Sequence, residues 1–161
     1  MVMKVDRSEF FTSKDGDIIL ITGYVPEERE KLIQMYEDFS SDKRCCGLPP
    51  VRKKMIEEWI DGLSEGYMFI AKHGERIIGH IGVMPQGEKA EFVIFIQQDY
   101  KGKWIGGELI KFAEKFLKDE GIRILEAVTE RGNMQAIQLY LWLGFKIAKS
   151  DEFYVYLKKD L

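Results

Sequence analysis

The sequence predicts a mixed α+β fold in which about seven strands form a central sheet flanked by four helices. The length of 161 residues, 45% of them apolar and 32% charged, suits one globular domain, which we expect to span residues 1–161. Short β-prone runs alternate with helical patterns along the chain. Within about forty residues an apolar run, a glycine turn, a helix and a second apolar run follow one another, which is typical of a βαβ unit.

The first half of the chain predicts a hairpin, two helices and a second hairpin. Asp15-Gly16 lies between two β-prone runs and is a typical hairpin turn. Pro26 suits the first turn of a helix, whose apolar side chains repeat at helical spacing: Leu32, Met35, Tyr36 and Phe39. The segment SSDKRCCGLPP, residues 40–50, ends this helix, and VRKKMIEEWIDGL predicts a second one. His73-Gly74 then forms a tight turn between two apolar runs.

The second half predicts the central strand, two helices and two further strands. The run EFVIFI, residues 91–96, is apolar almost throughout, which indicates a strand covered on both faces. The next helix has one apolar face and ends at Gly121. After the strand IRILEAVT, a short helix is capped by Asn133 and ends at Gly144. We expect the last strand at residues 152–157.

The composition argues against several classes of partner. With 24 basic and 27 acidic residues the formal charge is −3, so we expect no nucleic-acid binding. No segment approaches the roughly eighteen apolar residues of a membrane span, and the start MVMKVDRSEFF lacks the apolar core of a signal peptide. We therefore expect a cytoplasmic protein that does not act at a membrane.

The two cysteines are expected to be reduced thiols. Cys45 and Cys46 are adjacent, and neighbouring residues reach ordinary disulfide geometry only with strain. His73 and His80 do not fall at ligand spacing with them, so we expect no metal site.

The stretch KGKWIGGE, residues 101–108, predicts an anion site. The first N–H groups of a helix have no internal partner, and the helix dipole makes that end positive. Lys101 and Lys103 add positive charge. The spacing matches neither a P-loop nor a dinucleotide-binding turn. A surface turn whose lysines have no ligand is the alternative.

This turn and a later segment together resemble the GNAT superfamily of acyl-CoA-dependent N-acyltransferases. The family's pyrophosphate turn, Gln/Arg-x-x-Gly-x-Gly/Ala, falls here on residues 101–106, with Lys101 for Gln or Arg and Trp104 for a glycine. The second signature is carried by Asn133, Ala136, Ile137, Leu139, Tyr140, Gly144 and Phe145. The resemblance covers nearly the whole chain and implies a GNAT fold, with a mixed sheet splayed at the cofactor cleft.

The resemblance implies that the cofactor is acetyl-CoA. The main chain of Ile94, Phe95 and Ile96 would pair with the pantetheine amides. Amides of the turn would cradle the pyrophosphate, and the residues concerned are Lys101, Gly102, Lys103, Trp104, Ile105, Gly106 and Gly107. The pantetheine arm would be reached from the other side by Asn133, Ala136 and Tyr140. If Trp104 has an ordinary helical backbone, its indole either points outward or covers the cofactor.

The implied reaction is direct transfer of an acetyl group from acetyl-CoA to a primary amine through a tetrahedral intermediate. A backbone N–H near Ile96 would polarise the thioester carbonyl. Tyr140, with an ordinary pKa of about 10, suits proton donation to the leaving thiolate, although it could instead be a packing aromatic. For the base we expect Glu91, at the start of an apolar strand where partial burial would raise its pKa. Glu88, His80, ordered water and a merely solvated Glu91 remain alternatives.

Acceptor specificity is expected from the two helices and the loop between them, with Tyr36 and Phe39 as substrate-binding residues. The acceptor is an amine of a small molecule, a peptide or a protein, and a homodimer is left open beside a monomer. A second hypothesis is a non-catalytic acyl-CoA-binding sensor or regulatory module on the same fold. Trp104 favours the sensor, and Tyr140 and Glu91 favour the enzyme.

Overall fold

The computed structural model describes residues 6–39 and 52–161. Over these ranges eight strands form a single sheet in the order β1-β2-β3-β4-β5-β6-β8-β7. The strands are β1 (Ser8–Thr12), β2 (Ile18–Gly23), β3 (Tyr67–His73), β4 (Arg76–Gln86), β5 (Lys89–Ile96), β6 (Ile124–Glu130), β7 (Lys146–Ser150) and β8 (Tyr154–Asp160). Neighbours are antiparallel except β5 and β6, which are parallel. The predicted mixed α+β class is confirmed.

Four α-helices accompany the sheet in the described ranges: α1 (Arg29–Glu37), α2 (Lys53–Leu63), α3 (Ile105–Asp119) and α4 (Met134–Trp142). A short 3-10 turn, Pro26–Glu28, precedes α1, so the proline lies where its missing N–H is tolerated. Helix α3 crosses from β5 to its parallel neighbour β6, which confirms the predicted βαβ unit. The predicted break at residues 40–50, with Cys45 and Cys46, lies outside the described residues.

Strand β7 is the element that sequence analysis missed, so the expected count of about seven strands is one too low. All five of its residues are exposed, and it therefore shows no alternation of apolar and polar side chains. It pairs with β8 at the edge of the sheet. The last strand begins at Tyr154 and ends at Asp160, two to three residues later than predicted.

Two hydrophobic clusters cover opposite faces of the sheet. On β3, Met68 and Ile70 pack into the cluster with α1 and α2, whereas Phe69 and Ala71 belong to the cluster with α3. Because successive side chains of a strand point to opposite faces, α1 and α2 cover one face and α3 the other. Within the described ranges, no helix combines the length and apolar character needed to span a membrane.

The central feature for function is a gap between β5 and β6. Their pairing is confined to three residue pairs and ends at Glu91 and Glu126. Beyond this point β5 continues to Ile96 and β6 to Glu130 without pairing to each other. The sheet is therefore splayed, as expected, at the carboxyl ends of two parallel strands.

Candidate active site

A cleft of about 360 Å³ lies where β5 and β6 separate. Its walls come from β5, the turn before α3, the start of α3, the end of β6 and one side of α4. The lining residues are Phe39, Phe92, Val93, Ile94, Phe95, Ile96, Tyr100, Lys101, Gly102, Trp104, Ile105, Gly106, Gly107, Val128, Thr129, Asn133, Gln135, Ala136, Leu139 and Tyr140. Most of the lining is apolar, and its polar groups come mainly from the turn before α3 and from α4.

The β5 wall presents a strand edge to the cleft. β4 pairs with β5 as far as Ile96, so only the side toward β6 lacks a neighbouring strand in the described chain. Residues 93–96 are half-buried, which corrects the expectation that this run is covered on both faces. An open strand edge of this kind can pair with amide groups of a ligand.

The start of α3 is an uncapped helix end that faces the cleft. The backbone N–H of Glu108 donates to the carbonyl of Trp104. The N–H groups of residues 105–107 come before this hydrogen bond and have no partner within the helix. No side chain of the described residues caps this end. These amides and the positive end of the helix dipole suit an anionic ligand, which agrees with the predicted anion site.

Trp104 has φ 73° and ψ 0°, in the left-handed region, and it is the non-glycine residue with positive φ in the described ranges. The ordinary helical backbone considered for it is therefore wrong. Gly102, in the same turn, has φ 75°, a conformation that glycine adopts without steric cost.

The two lysines of the turn differ in their surroundings. Lys101 is exposed and lines the cleft. The ammonium of Lys103 lies 2.8 Å from Oδ2 of Asp15 and 5.3 Å from the ring centre of Tyr100, and Lys103 does not line the cleft. The hydrogen bond with Asp15 raises the pKa of Lys103. Of the two predicted cations, only Lys101 faces the site.

Helix α4 and the residues that flank it carry the second signature. The side chain of Asn133 accepts a hydrogen bond from the Ala136 amide at 3.4 Å and donates one to Thr129 Oγ1 at 3.1 Å. Its predicted role as a helix cap is confirmed. Tyr140 is 7% exposed and lines the cleft, and its ring packs against Phe92 at 5.5 Å. It is therefore both a packing aromatic and a cleft residue.

The candidate bases lie away from the cleft. Glu91 is exposed, so the partial burial expected for it is wrong, and neither Glu91 nor Glu88 is a lining residue. Among the described lining residues there is no carboxylate and no histidine.

His80 lies in the core instead of the cleft. Its Nδ1 is 2.7 Å from the hydroxyl oxygen of Tyr36, and both side chains are buried. Burial lowers the pKa of His80 to about 3 and raises that of Tyr36 well above 10. Tyr36 therefore stands behind the cleft, whereas its stacked neighbour Phe39 lines it.

Sequence analysis missed several lining residues: Phe92, Val93, Tyr100, Val128, Thr129, Gln135 and Leu139. The β6 residues carried a usable signal, because the strand after a crossover helix is often the parallel neighbour. Leu139 carried another, since it precedes Tyr140 in the second signature.

Comparison with known proteins identifies relatives of this arrangement. The model of the "Acetyltransferase (GNAT) family" matches residues 32–145. A mycothiol acetyltransferase of Actinosynnema mirum is 27% identical over 103 residues, which cover 63% of this chain and 34% of that protein. N-acetyltransferase 8B of Rattus norvegicus is 28% identical over 57% of this chain and 44% of its own. The match thus spans less than half the length of these curated relatives.

Solved structures share the fold. The GNAT domain of S. lividans PAT superposes with a TM-score of 0.80 at 17% identity, covering 96% of this chain and 97% of that one. The PaiA N-acetyltransferase of Thermoplasma acidophilum, solved in complex with coenzyme A, has a TM-score of 0.71 at 22% identity, over 89% of this chain and 99% of that one. At these identities the likeness establishes the fold.

Proposed function

Since the chain belongs to the GNAT acetyltransferase family, we propose that it is an N-acetyltransferase that moves an acetyl group from acetyl-CoA to a primary amine. The observation that carries this proposal is the cleft between β5 and β6, which is lined both by Tyr140 and by the uncapped start of α3. A strand edge and a helix end thus lie in one groove, each suited to a different part of one ligand.

The described residues fit acetyl-CoA. The open edge of β5 at residues 94–96 would hold the pantetheine amides, as an added strand would be held. The amides at the start of α3 and the ammonium of Lys101 would hold the diphosphate. When bound, the thioester of acetyl-CoA supplies an acetyl group activated for transfer to a nucleophile.

Tyr140 is the proposed proton donor to the leaving thiolate. Its hydroxyl belongs to a buried ring on the cleft wall, and a neutral phenol is the form that can donate at neutral pH. An N–H near Ile96 is the proposed donor to the carbonyl oxygen. The described lining has no cysteine, serine or histidine to carry the acetyl group, and the hydroxyl of its Thr129 accepts a hydrogen bond from Asn133, which favours direct transfer.

Ordered water is the base that we favour for the acceptor amine. Glu91 is exposed and outside the lining, and His80 has a pKa of about 3 in the core. A base in the cleft needs to be within hydrogen-bond reach of the proton that it takes. Water in an open cleft meets this requirement more readily than either side chain.

The acceptor is proposed to be a primary amine of a small molecule, a peptide or a protein. It would approach on the side of α1, where Phe39 and Phe95 line the cleft. The second candidate function is an acyl-CoA sensor without turnover, which is favoured by the absence of a carboxylate among the described lining residues.

Thermal unfolding with and without CoA tests binding without knowledge of the acceptor. At a CoA concentration a hundredfold above its dissociation constant, we expect about 2.7 kcal/mol of added stability. Release of CoA from acetyl-CoA with a panel of amines then tests turnover. Binding with steady CoA release supports the enzyme, binding without release supports the sensor, and no stabilisation contradicts both.

A further inference from the structure

Trp104 combines a left-handed backbone with an exposed side chain that lines the cleft. Its backbone lies in the left-handed region, where the Cβ of an L-residue crowds the following carbonyl oxygen. Its side chain is 61% exposed, yet it forms part of the cleft wall. A strained backbone position thus carries the largest side chain at the mouth of the proposed site.

The fold gives no reason for an indole at this position. Trp104 belongs to neither hydrophobic cluster, makes no ring contact with the described aromatics, and forms no side-chain cap on α3. Glycine would adopt the same φ without strain, as Gly102 does two residues earlier.

The other tryptophans have ordinary surroundings. Trp59 is partly buried and packs edge-on against Tyr36 at 5.0 Å, beside the cluster formed with α1 and α2. Trp142 is 74% exposed, but it lies in regular helix and the ammonium of Lys111 is 5.2 Å from its ring centre. Trp104 alone of the three combines a strained backbone with a place in the cleft wall.

We propose that the indole of Trp104 is the binding surface for the purine ring of the acyl donor. This inference rests on the proposed function. Among the lining residues Tyr140 and Phe92 are buried, whereas Lys101, Gly102 and Trp104 of the turn before α3 are exposed, and we call these three residues the rim. With its thioester at Tyr140 and its diphosphate at the start of α3, the donor would place its nucleotide beside the rim, which directly precedes this helix.

The rim has the chemistry that a phosphorylated purine nucleoside requires. A flat indole offers a face on which a nucleobase stacks through its own π-face. Lys101 supplies the positive charge beside it, and Lys103 is occupied by Asp15. The ligand contact explains why a strained tryptophan stands where glycine would suffice.

Two substitutions separate the indole from the backbone strain. Trp104→Ala removes the indole and keeps a Cβ at positive φ, whereas Trp104→Gly removes both. We expect both variants to bind CoA roughly 5- to 160-fold more weakly, the range of one stacked base. Without ligand, the Tm of Trp104→Gly should rise by about 2–4 °C, and that of Trp104→Ala should stay near the wild-type value. Trp142→Ala is the matched control and should bind CoA as the wild type does.

Calorimetry measures the affinity of each variant for CoA, and displacement of CoA by 4′-phosphopantetheine measures its affinity for the part of the donor without the nucleotide. Together they test the contact between the indole and the purine. Because 4′-phosphopantetheine lacks the nucleotide, its affinity should be the same in the wild type and both Trp104 variants. Unchanged CoA affinity in both variants would overturn the inference alone. Equal losses for CoA and 4′-phosphopantetheine would also overturn it, by moving the contact to the pantetheine arm. Failure of the wild type to bind CoA would overturn the proposed function and this inference together.

Discussion

The hydroxyl oxygen of Tyr36 lies 2.7 Å from Nδ1 of His80 in the buried aromatic cluster between the sheet and helices α1 and α2. The pair sits behind Phe95, whose ring contacts Tyr36 edge-on at 6.0 Å and whose residue lines the cleft. Tyr36 was predicted to bind the substrate, and His80 was an alternative for the base. Both residues instead support the cleft wall from behind.

The buried imidazole makes stability depend on pH. Burial lowers the pKa of His80 to about 3 in the folded state, from about 6.5 in the unfolded chain. Below pH 6.5 the unfolded chain takes up a proton that the folded chain does not, so the free energy of unfolding falls as the pH falls. Between pH 7 and pH 5 this linkage should remove about 2 kcal/mol.

Urea unfolding of the wild type and His80→Asn over this pH range measures the linkage. Asparagine keeps an acceptor for Tyr36 but does not titrate, so comparing the two proteins isolates the contribution of His80. We expect the stability difference between the two proteins to shrink as the solution becomes more acidic. Parallel pH profiles would contradict the neutral, buried state of His80.

Tyr140→Phe tests the proposed proton donor. Phenylalanine keeps the ring contacts with Phe92 and Phe145, so the Tm and the CoA affinity should change little. Loss of the phenol should lower kcat by roughly 10²- to 10⁴-fold with the best amine of the panel.

Tyr100→Phe is the control for that change, because Tyr100 also lines the cleft but its hydroxyl is 2.6 Å from Nδ1 of His73. Its kcat should remain near that of the wild type. Loss of a general acid should lower kcat by at least about 10²-fold. If kcat of Tyr140→Phe instead lies within about threefold of kcat of Tyr100→Phe, Tyr140 is not the proton donor.

Asn133 should act both as a helix cap and as a cofactor contact. Asn133→Ala removes the cap and should lower the free energy of unfolding by about 1 kcal/mol. Asn133→Ser keeps a cap oxygen, so its stability should stay close to that of the wild type, but it lacks the side-chain NH2 group that donates to Thr129 in this lining residue.

Calorimetric CoA titrations of the two variants separate these roles. If Asn133 contacts the pantetheine arm, both variants bind CoA more weakly, by about 0.5–1.5 kcal/mol for one hydrogen bond. Wild-type affinity in Asn133→Ser would reduce the role of this residue to capping.

Lys101 and Lys103 should differ in their effect on CoA affinity. Lys101→Ala removes the exposed cleft cation and should weaken binding roughly two- to fivefold at low salt, with a smaller effect at high salt. Lys103→Ala removes a partner of Asp15 and should leave the affinity within about twofold of wild type. A larger loss in Lys103→Ala would show that its ammonium leaves Asp15 for the ligand.

Local patterns predicted much of this fold. The hairpin turns at Gly16 and Gly74 have positive φ, as their turn dipeptides require, and α3 crosses between parallel strands as its flanking apolar runs indicate. Strand β7 was not predicted, because all of its side chains are exposed and its sequence therefore lacks the apolar alternation of a half-buried strand.

The missed features of the site depend on contacts between distant residues. Asp15 lies 88 positions before Lys103 in the chain and forms an ion pair with it outside the cleft. No local sequence pattern predicts this ion pair. His80 is buried by Tyr36 and Trp59, which come from two helices. The positive φ of Trp104 follows from the turn between β5 and α3. A glycine in the sequence indicates that φ can be positive, but a tryptophan gives no such indication.

A crystal structure of the protein with CoA tests the central claim most directly. We expect the diphosphate oxygens within about 2.7–3.2 Å of backbone amides at the start of α3, and the pantetheine arm along residues 94–96 of β5. CoA bound elsewhere, or a cleft that stays empty at saturating CoA, would contradict this assignment.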